Sequence, residues 1–139
     1  MADRTPAQIY SLVIGAVLVV AGIIGFFYSA AFDSPVKVDA VFGILDVNGW
    51  HNVVHIVTGG LGLLAAGYAA RYYAGGLGVV YVAIAIWGFI IGDGESILGF
   101  IPVNTEDSVL HALIGVAGLG AYAASAPRPA TGPAAGATA

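Results

Sequence analysis

Four long apolar runs constrain the fold of this chain more than any other feature. They cover about residues 7–28, 49–70, 74–91 and 108–125. Each has about 18 to 22 residues, which as an α-helix would extend roughly 27 to 33 Å and match the hydrocarbon core of a bilayer. Hydrophobic residues make up 59% of the chain, well above the usual share in soluble domains. We therefore predict an integral membrane protein with four transmembrane helices.

The composition excludes several classes of function. There is no cysteine, so the chain has no disulfide, no thiolate metal site and no cysteine nucleophile. Only four residues are Lys or Arg and the net charge is -4, so no basic patch is present to neutralise nucleic-acid phosphates. We recognise no catalytic constellation and expect a protein that is not an enzyme. Its expected partners are the lipid bilayer and, through its helix faces, other membrane proteins or further copies of itself, but not nucleic acid.

The charges differ between the two sides of the predicted membrane. Arg4, Arg71 and Arg128 all fall on one side when four helices are threaded through it. Positive residues favour the cytoplasmic side, so we predict a plasma-membrane protein with both termini in the cytoplasm. Seven of the eight acidic residues lie in the two opposite loops: Asp33, Asp39, Asp46, Asp93, Glu95, Glu106 and Asp107.

The end of the chain has a different composition from the rest. Residues 127–139 read "PRPATGPAAGATA", a segment without periodicity that lacks the apolar side chains needed for a core. We predict that this segment is a disordered cytoplasmic tail. Residues 1–126 then form the four-helix domain.

The sequence also contains an internal repeat. "GILDVNGWHNVVHIVTGGLGL" (43–63) aligns with "GFIPVNTEDSVLHALIGVAGL" (99–119) at an offset of 56, with identical Asn, His and Gly positions. The first and third helices align at an offset of 63, which pairs Gly15 with Gly78 and Gly25 with Gly88. The repeats therefore cover about residues 7–70 and 74–125.

The repeat predicts the architecture. Because each repeat is a pair of helices, both halves have the same orientation and are related by a pseudo-two-fold axis along the membrane normal. The predicted fold is an all-α four-helix bundle of two tandem helical hairpins. Arg4 and the small residues of "YSAAF" (28–32) also fit a cleaved signal peptide. We retain the first helix because the repeat requires a partner for the third.

Asparagine and glycine occupy structural positions in both repeats. Asn48 and Asn104 precede the second and fourth helices and are predicted N-caps. In each repeat, two glycines lie four and seven residues after the histidine, on the same helix face as the histidine. We expect the second and fourth helices to pack together along these small residues, as small residues often do in membranes: Gly59, Gly62, Gly115 and Gly118.

Histidine and aspartate residues form the candidate site. His51 and His55 share one face of the second helix, and Asp107 and His111 share one face of the fourth. Three imidazoles and one carboxylate are suitable ligands for zinc or another divalent metal. Asn52 and Asn104 are candidate second-shell partners.

Two other interpretations of the histidines remain open. His55 and His111 could be the axial ligands of a haem whose face lies against the glycines. Alternatively, the histidines only form hydrogen bonds between helices, and the chain is a non-catalytic structural or accessory subunit.

Two segments resemble a known family of small four-helix bacterial membrane proteins, which is catalogued as a domain of unknown function. They are "NGWHNVVHIVTGGLGL" (48–63) and "IPVNTEDSVLHALIGVAGL" (101–119), and the resemblance extends from Ile9 to about Ser125. Ser108 stands where the family often has an asparagine after the aspartate. The resemblance implies only a four-helix integral membrane architecture and implies no particular activity, substrate or cofactor.

Overall fold

Two helical hairpins follow each other along the chain, and each carries a short β-hairpin between its helices. The computed structural model describes residues 4–33 and 38–126, so the predicted tail, residues 127–139, lies outside the described residues. The helices are α1 (Pro6–Tyr28), α2 (Gly49–Ala65), α3 (Ala70–Ile91) and α4 (Thr105–Ala124). The strands are β1 (Asp39–Val41), β2 (Leu45–Val47), β3 (Ser96–Ile97) and β4 (Ile101–Pro102). Four helices in an all-α fold confirm the predicted class.

Three of the helices are long and apolar enough to cross a membrane, namely α1, α3 and α4. Their length and composition indicate a membrane protein. The second predicted span is shorter, because α2 has 17 residues and ends at Ala65, which corresponds to roughly 26 Å. The turn to α3 occupies residues 66–69 and contains Gly67. Since glycine is a weak helix former, Gly67 favours a turn at residues 66–69. The predicted second helix continued to residue 70.

The two β-hairpins are antiparallel and were not predicted. β1 pairs with β2 through Asp39↔Val47 and Val41↔Leu45, and β3 pairs with β4 through Ser96↔Pro102. Their strands have only two or three residues, which is too short for an alternating pattern to be detected. Both turns use two consecutive residues with positive φ, first at Phe42 (53°) and Gly43 (72°), then at Leu98 (55°) and Gly99 (79°). The two turns therefore have the same backbone conformation at positions that the predicted repeat makes equivalent.

Glycines set the packing inside each helical hairpin. A Cβ added to Gly59 would lie 2.6 Å from the carbonyl oxygen of Gly15, and one added to Gly115 would lie 3.0 Å from that of Gly78. Such short contacts leave no room for a side chain. The backbones of α1 and α2 are therefore in close contact, and so are the backbones of α3 and α4.

The expected contact between the second and fourth helices along their glycines was wrong. A Cβ on Gly62 would meet the ring of Tyr73 in α3 at 2.5 Å, and a Cβ on Gly118 would lie 2.7 Å from the Ala74 carbonyl oxygen, also in α3. The glycine spacing identified the packed face correctly but not the helix packed against it, because any neighbouring helix gains from small residues.

Hydrogen bonds join the two hairpins at both ends of the molecule. At the end that carries the N-terminus of α1, here called the terminal end, the Tyr10 hydroxyl donates to the Ile114 carbonyl at 2.9 Å. There the Ala7 amide also donates to the Ser125 hydroxyl at 2.9 Å. The opposite end carries both β-hairpins and is called the hairpin end. The polar cluster described below lies there, between the first turns of α2 and α4.

Candidate metal centre

Asn48 and Asn104 position the beginnings of α2 and α4. The Asn48 side-chain oxygen accepts from the His51 amide, and the Asn104 oxygen accepts from the Asp107 amide, both at 2.9 Å. Each is therefore the N-cap of its helix. Because His51 and Asp107 are the third residues of their helices, the caps fix the backbone that carries these two side chains.

The same asparagines also connect the two halves of the molecule. The Asn48 amide nitrogen donates to the Phe100 carbonyl at 2.7 Å, and the Asn104 nitrogen donates to the Ile44 carbonyl at 2.6 Å. The pairs are equivalent in the repeat, since residues 44 and 100 are 56 apart. Each helix start is thus fixed by the β-hairpin of the other half.

All four candidate ligands converge at this point. The ligand nitrogens of His51, His55 and His111 lie within 4.8 Å of one another. The carboxylate oxygen Oδ2 of Asp107 is 3.7 Å from His51 Nε2 and 3.9 Å from His111 Nδ1. Two donors on one tetrahedral zinc ion are about 3.4 Å apart, given bonds of 2.0 to 2.1 Å. The cluster is therefore close to the geometry that a single ion requires.

A backbone hydrogen bond orients the His51 ring. Its Nδ1 lies 3.1 Å from the carbonyl oxygen of Asp46, and because a carbonyl only accepts, Nδ1 carries the proton. In the neutral ring Nε2 then has a free lone pair, which points to His55 Nε2 at 3.1 Å. A ring nitrogen fixed by a backbone carbonyl, with the other nitrogen free, is the usual arrangement of a metal-binding histidine.

Two polar atoms of the cluster have no hydrogen-bond partner among the described residues. They are Asp107 Oδ2 and His111 Nδ1, on residues that are 4% and 6% exposed. Buried polar atoms normally form hydrogen bonds, and leaving one unpaired is costly. A cation bound between these two atoms would satisfy both of them.

A cavity of about 30 Å³ lies beside the cluster and is lined by all four candidate ligands. That volume is about the share of one water molecule in the liquid and is also sufficient for one metal ion. It is far too small for a porphyrin, and Ile97, Pro102 and Val103 also line it. This cavity therefore has room for a single ion but not for a haem.

The candidate second-shell residues take different positions. Asn104 acts through its cap on the Asp107 backbone. Asn52 instead donates to the Ser29 carbonyl at 2.8 Å, and its oxygen lies where a Cβ on Gly25 would be. In the second half of the chain the Ser108 hydroxyl lies in the same way against Gly88. Ser108 therefore packs α4 against α3.

Tyr81 also belongs to this region and was not predicted from the sequence. Its ring packs edge-on against His111, with centroids 4.8 Å apart, and the residue is 2% exposed. The repeat alignment pairs Tyr81 with Leu18, which is equally buried. An aromatic residue in place of an aliphatic one, in the helix that pairs with the one carrying His111, was the available signal.

Acidic side chains lie just outside the cluster. Burial raises the pKa of the Asp46 carboxyl above its ordinary value, Asp93 and Glu106 raise it further, and His51 acts in the opposite direction. The carboxylates are therefore close enough to repel one another. Such a group concentrates cations near the hairpin end.

Comparison with known proteins identifies only the family of this chain. No curated protein and no solved structure is significantly similar to it. The family model of a domain of unknown function, DUF4383, matches residues 8–124. With that match over most of its length, the chain belongs to the DUF4383 family.

Proposed function

We propose that this protein binds one divalent metal ion, of the zinc type, between α2 and α4 at the hairpin end. The observation that carries the proposal is the convergence of three imidazoles on one point, with their ligand nitrogens within 4.8 Å of one another. Chance does not readily bring together all three histidines of a chain of 139 residues. Asp107 supplies the fourth donor.

The donor set favours particular metals. Imidazole nitrogen is the preferred partner of zinc, copper, nickel and iron, whereas calcium and magnesium require mostly oxygen ligands. Four protein donors also fill a tetrahedral shell, which is typical of structural zinc sites. We therefore infer a non-catalytic role in which the ion ties the two helical hairpins together, as part of a structural or accessory membrane protein.

The proposed membrane arrangement follows from the two ends of the molecule. Arg71 lies at the terminal end, where its Nε donates to the Tyr122 carbonyl, and Arg4 precedes α1 at the same end. Positive charge favours the cytoplasm, so the metal centre would face the outside of the plasma membrane. Equivalent glycine and asparagine contacts in both halves support a pseudo-two-fold axis along the membrane normal.

A second candidate is a structural protein in which the histidines bind no metal. The 3.1 Å separation of His51 Nε2 and His55 Nε2 also fits a hydrogen bond donated by His55. In a membrane such a bond contributes about 0.6 kcal/mol. This account leaves Asp107 Oδ2 and His111 Nδ1 without a hydrogen-bond partner among the described residues, which is why we favour the metal.

Metal analysis separates the two candidates. The full chain would be purified in detergent with an affinity tag free of histidine, supplied with zinc, and analysed for metal after gel filtration. We expect about one equivalent of zinc in the wild type and a loss of this zinc in His55→Ala and His111→Ala. Val57→Ala is the matched control, because Val57 is on the same helix and exposed. A wild type that retains no metal, or histidine variants that retain it fully, would refute the proposal.

A further inference from the structure

The metal centre has a second, larger opening on the side of α1. A cavity of about 160 Å³ ends at His51, His55 and Asp107. Its walls are Ala21 and Ile24 of α1 and four apolar residues of the first β-hairpin: Val41, Phe42, Leu45 and Val47. Among the residues that the structure describes, the only polar side chains in its lining are therefore the three candidate metal ligands.

This cavity lies next to the apolar outer surface of the protein, because it shares lining residues with two surface grooves. A groove of about 360 Å³ along α1 shares Ala21 and Ile24 with it. A second groove of about 370 Å³, between the first β-hairpin and α4, shares Val41, Phe42 and Leu45. Because α1 and α4 are long and apolar enough to span a membrane, both grooves would face lipid rather than water.

The charge of the bound ion restricts which ligands could enter this cavity. A divalent ion held by three neutral imidazoles and the Asp107 carboxylate has a net charge of about +1 in a buried setting, where a charge is costly unless it is paired. An anionic oxygen would cancel this charge. The four protein donors complete a tetrahedral shell, and an entering oxygen would expand it to five donors, as happens at some zinc sites. Asp107 borders both cavities.

We propose that the ligand of this centre is a fatty acid resident in the membrane, whose carboxylate binds the metal. The head would occupy the 160 Å³ cavity and the acyl chain would lie along the groove on α1. An apolar path with a single cationic end matches an amphiphile with one anionic group. This inference rests on the proposed metal site and adds the class of its ligand.

Cobalt makes the proposal measurable, because the visible absorption of Co²⁺ changes with its coordination. The detergent-purified full chain would be loaded with one equivalent of Co²⁺ and titrated with palmitate or with methyl palmitate. Both compounds enter the micelle, but only palmitate has the carboxylate. We expect palmitate to change the cobalt spectrum while the cobalt remains bound, and methyl palmitate to leave the spectrum unchanged.

A pair of variants tests the route. Ala21→Phe fills the cavity, whereas Ala83→Phe adds the same ring to an exposed position on α3. We expect Ala21→Phe to bind cobalt and to lose the response to palmitate, and Ala83→Phe to respond like the wild type. If Ala21→Phe fails to bind cobalt, Leu45→Trp blocks the same cavity from the β-hairpin.

The outcomes are distinguishable. A wild type without bound cobalt overturns the metal site and this inference together. A cobalt protein that ignores palmitate, responds equally to the methyl ester, or responds equally in both cavity-filling variants overturns only the inference about the ligand.

Discussion

Single residues account for the position of the proposed metal centre. Asn48 and Asn104 each form a cap with one side-chain atom and a bond to the other half of the molecule with the second. An alanine at either position would supply neither bond, and the loss of the cap alone would cost about 1 kcal/mol of stability. These asparagines therefore connect helix formation with the convergence of the ligands.

Asp107 has the most specific role in the proposed metal site. Asp107→Asn keeps the shape of the side chain but removes its charge, so we expect the zinc dissociation constant to rise by about 100-fold or more, since loss of a residue that only supports a ligand already costs about 10- to 100-fold. Competition with a chromophoric chelator measures this constant.

Glu106→Gln is the control for that substitution. Glu106 precedes Asp107 and is exposed, so removal of its charge is expected to leave zinc affinity close to that of the wild type. Equal losses in the two variants would show that only the general negative charge of this end matters.

The sequence predicted which histidine and aspartate residues cluster better than it predicted what surrounds them. The spacing of four residues places His51 beside His55 and Asp107 beside His111 on any helix, and the repeat indicated that both pairs are at the same depth. The proton of His51 could not be assigned, because its partner is a backbone carbonyl in a β-strand that has no sequence signal. Asn52 bonds to Ser29, a contact that depends on how α1 meets α2.

At the scale of elements, glycine pairs hold each helical hairpin together. Gly59→Ala would place a Cβ 2.6 Å from the Gly15 carbonyl oxygen, so α1 and α2 must separate. We expect a loss of about 1 to 3 kcal/mol of stability, as for other overpacked positions. The apparent melting temperature in detergent should fall accordingly.

The neighbouring Gly60 is the control. A Cβ there meets nothing within 4 Å, and alanine is favoured over glycine in a helix by about 1 kcal/mol. Gly60→Ala should therefore leave the melting temperature unchanged or raise it. If Gly59→Ala were equally harmless, the close approach of the two backbones would not be what stabilises the hairpin.

The sequence predicts long elements better than it predicts which helices pack together. The four apolar runs and the repeat are properties of many residues, and they predicted the four helices; three of these helices, rather than the predicted four, are long and apolar enough to cross a membrane. The end of α2 depends on a single turn around Gly67, and the β-hairpins on two-residue turns. Which helix each glycine faces depends on tertiary packing, which is absent from the periodicity.

At the scale of the whole molecule, the two ends have opposite chemistry. The terminal end carries Arg4 and Arg71, while the hairpin end carries the acidic residues and the histidine cluster. We propose on this basis that the hairpin end faces outward.

Cysteine labelling tests the orientation, because the wild type has no cysteine and gives no background. Tyr68→Cys lies at the terminal end and Glu95→Cys at the hairpin end, and both positions are exposed. In intact cells, a membrane-impermeant maleimide should label Glu95→Cys, and should label Tyr68→Cys only after permeabilisation. The reverse pattern would place the metal centre on the cytoplasmic side.

X-ray absorption at the zinc edge tests the central claim most directly. For the zinc-loaded full chain we predict a shell of four nitrogen or oxygen atoms at about 2.0 to 2.1 Å, with the outer-shell scattering of three imidazoles. A shell of oxygen atoms without imidazole scattering would contradict a centre formed by His51, His55 and His111.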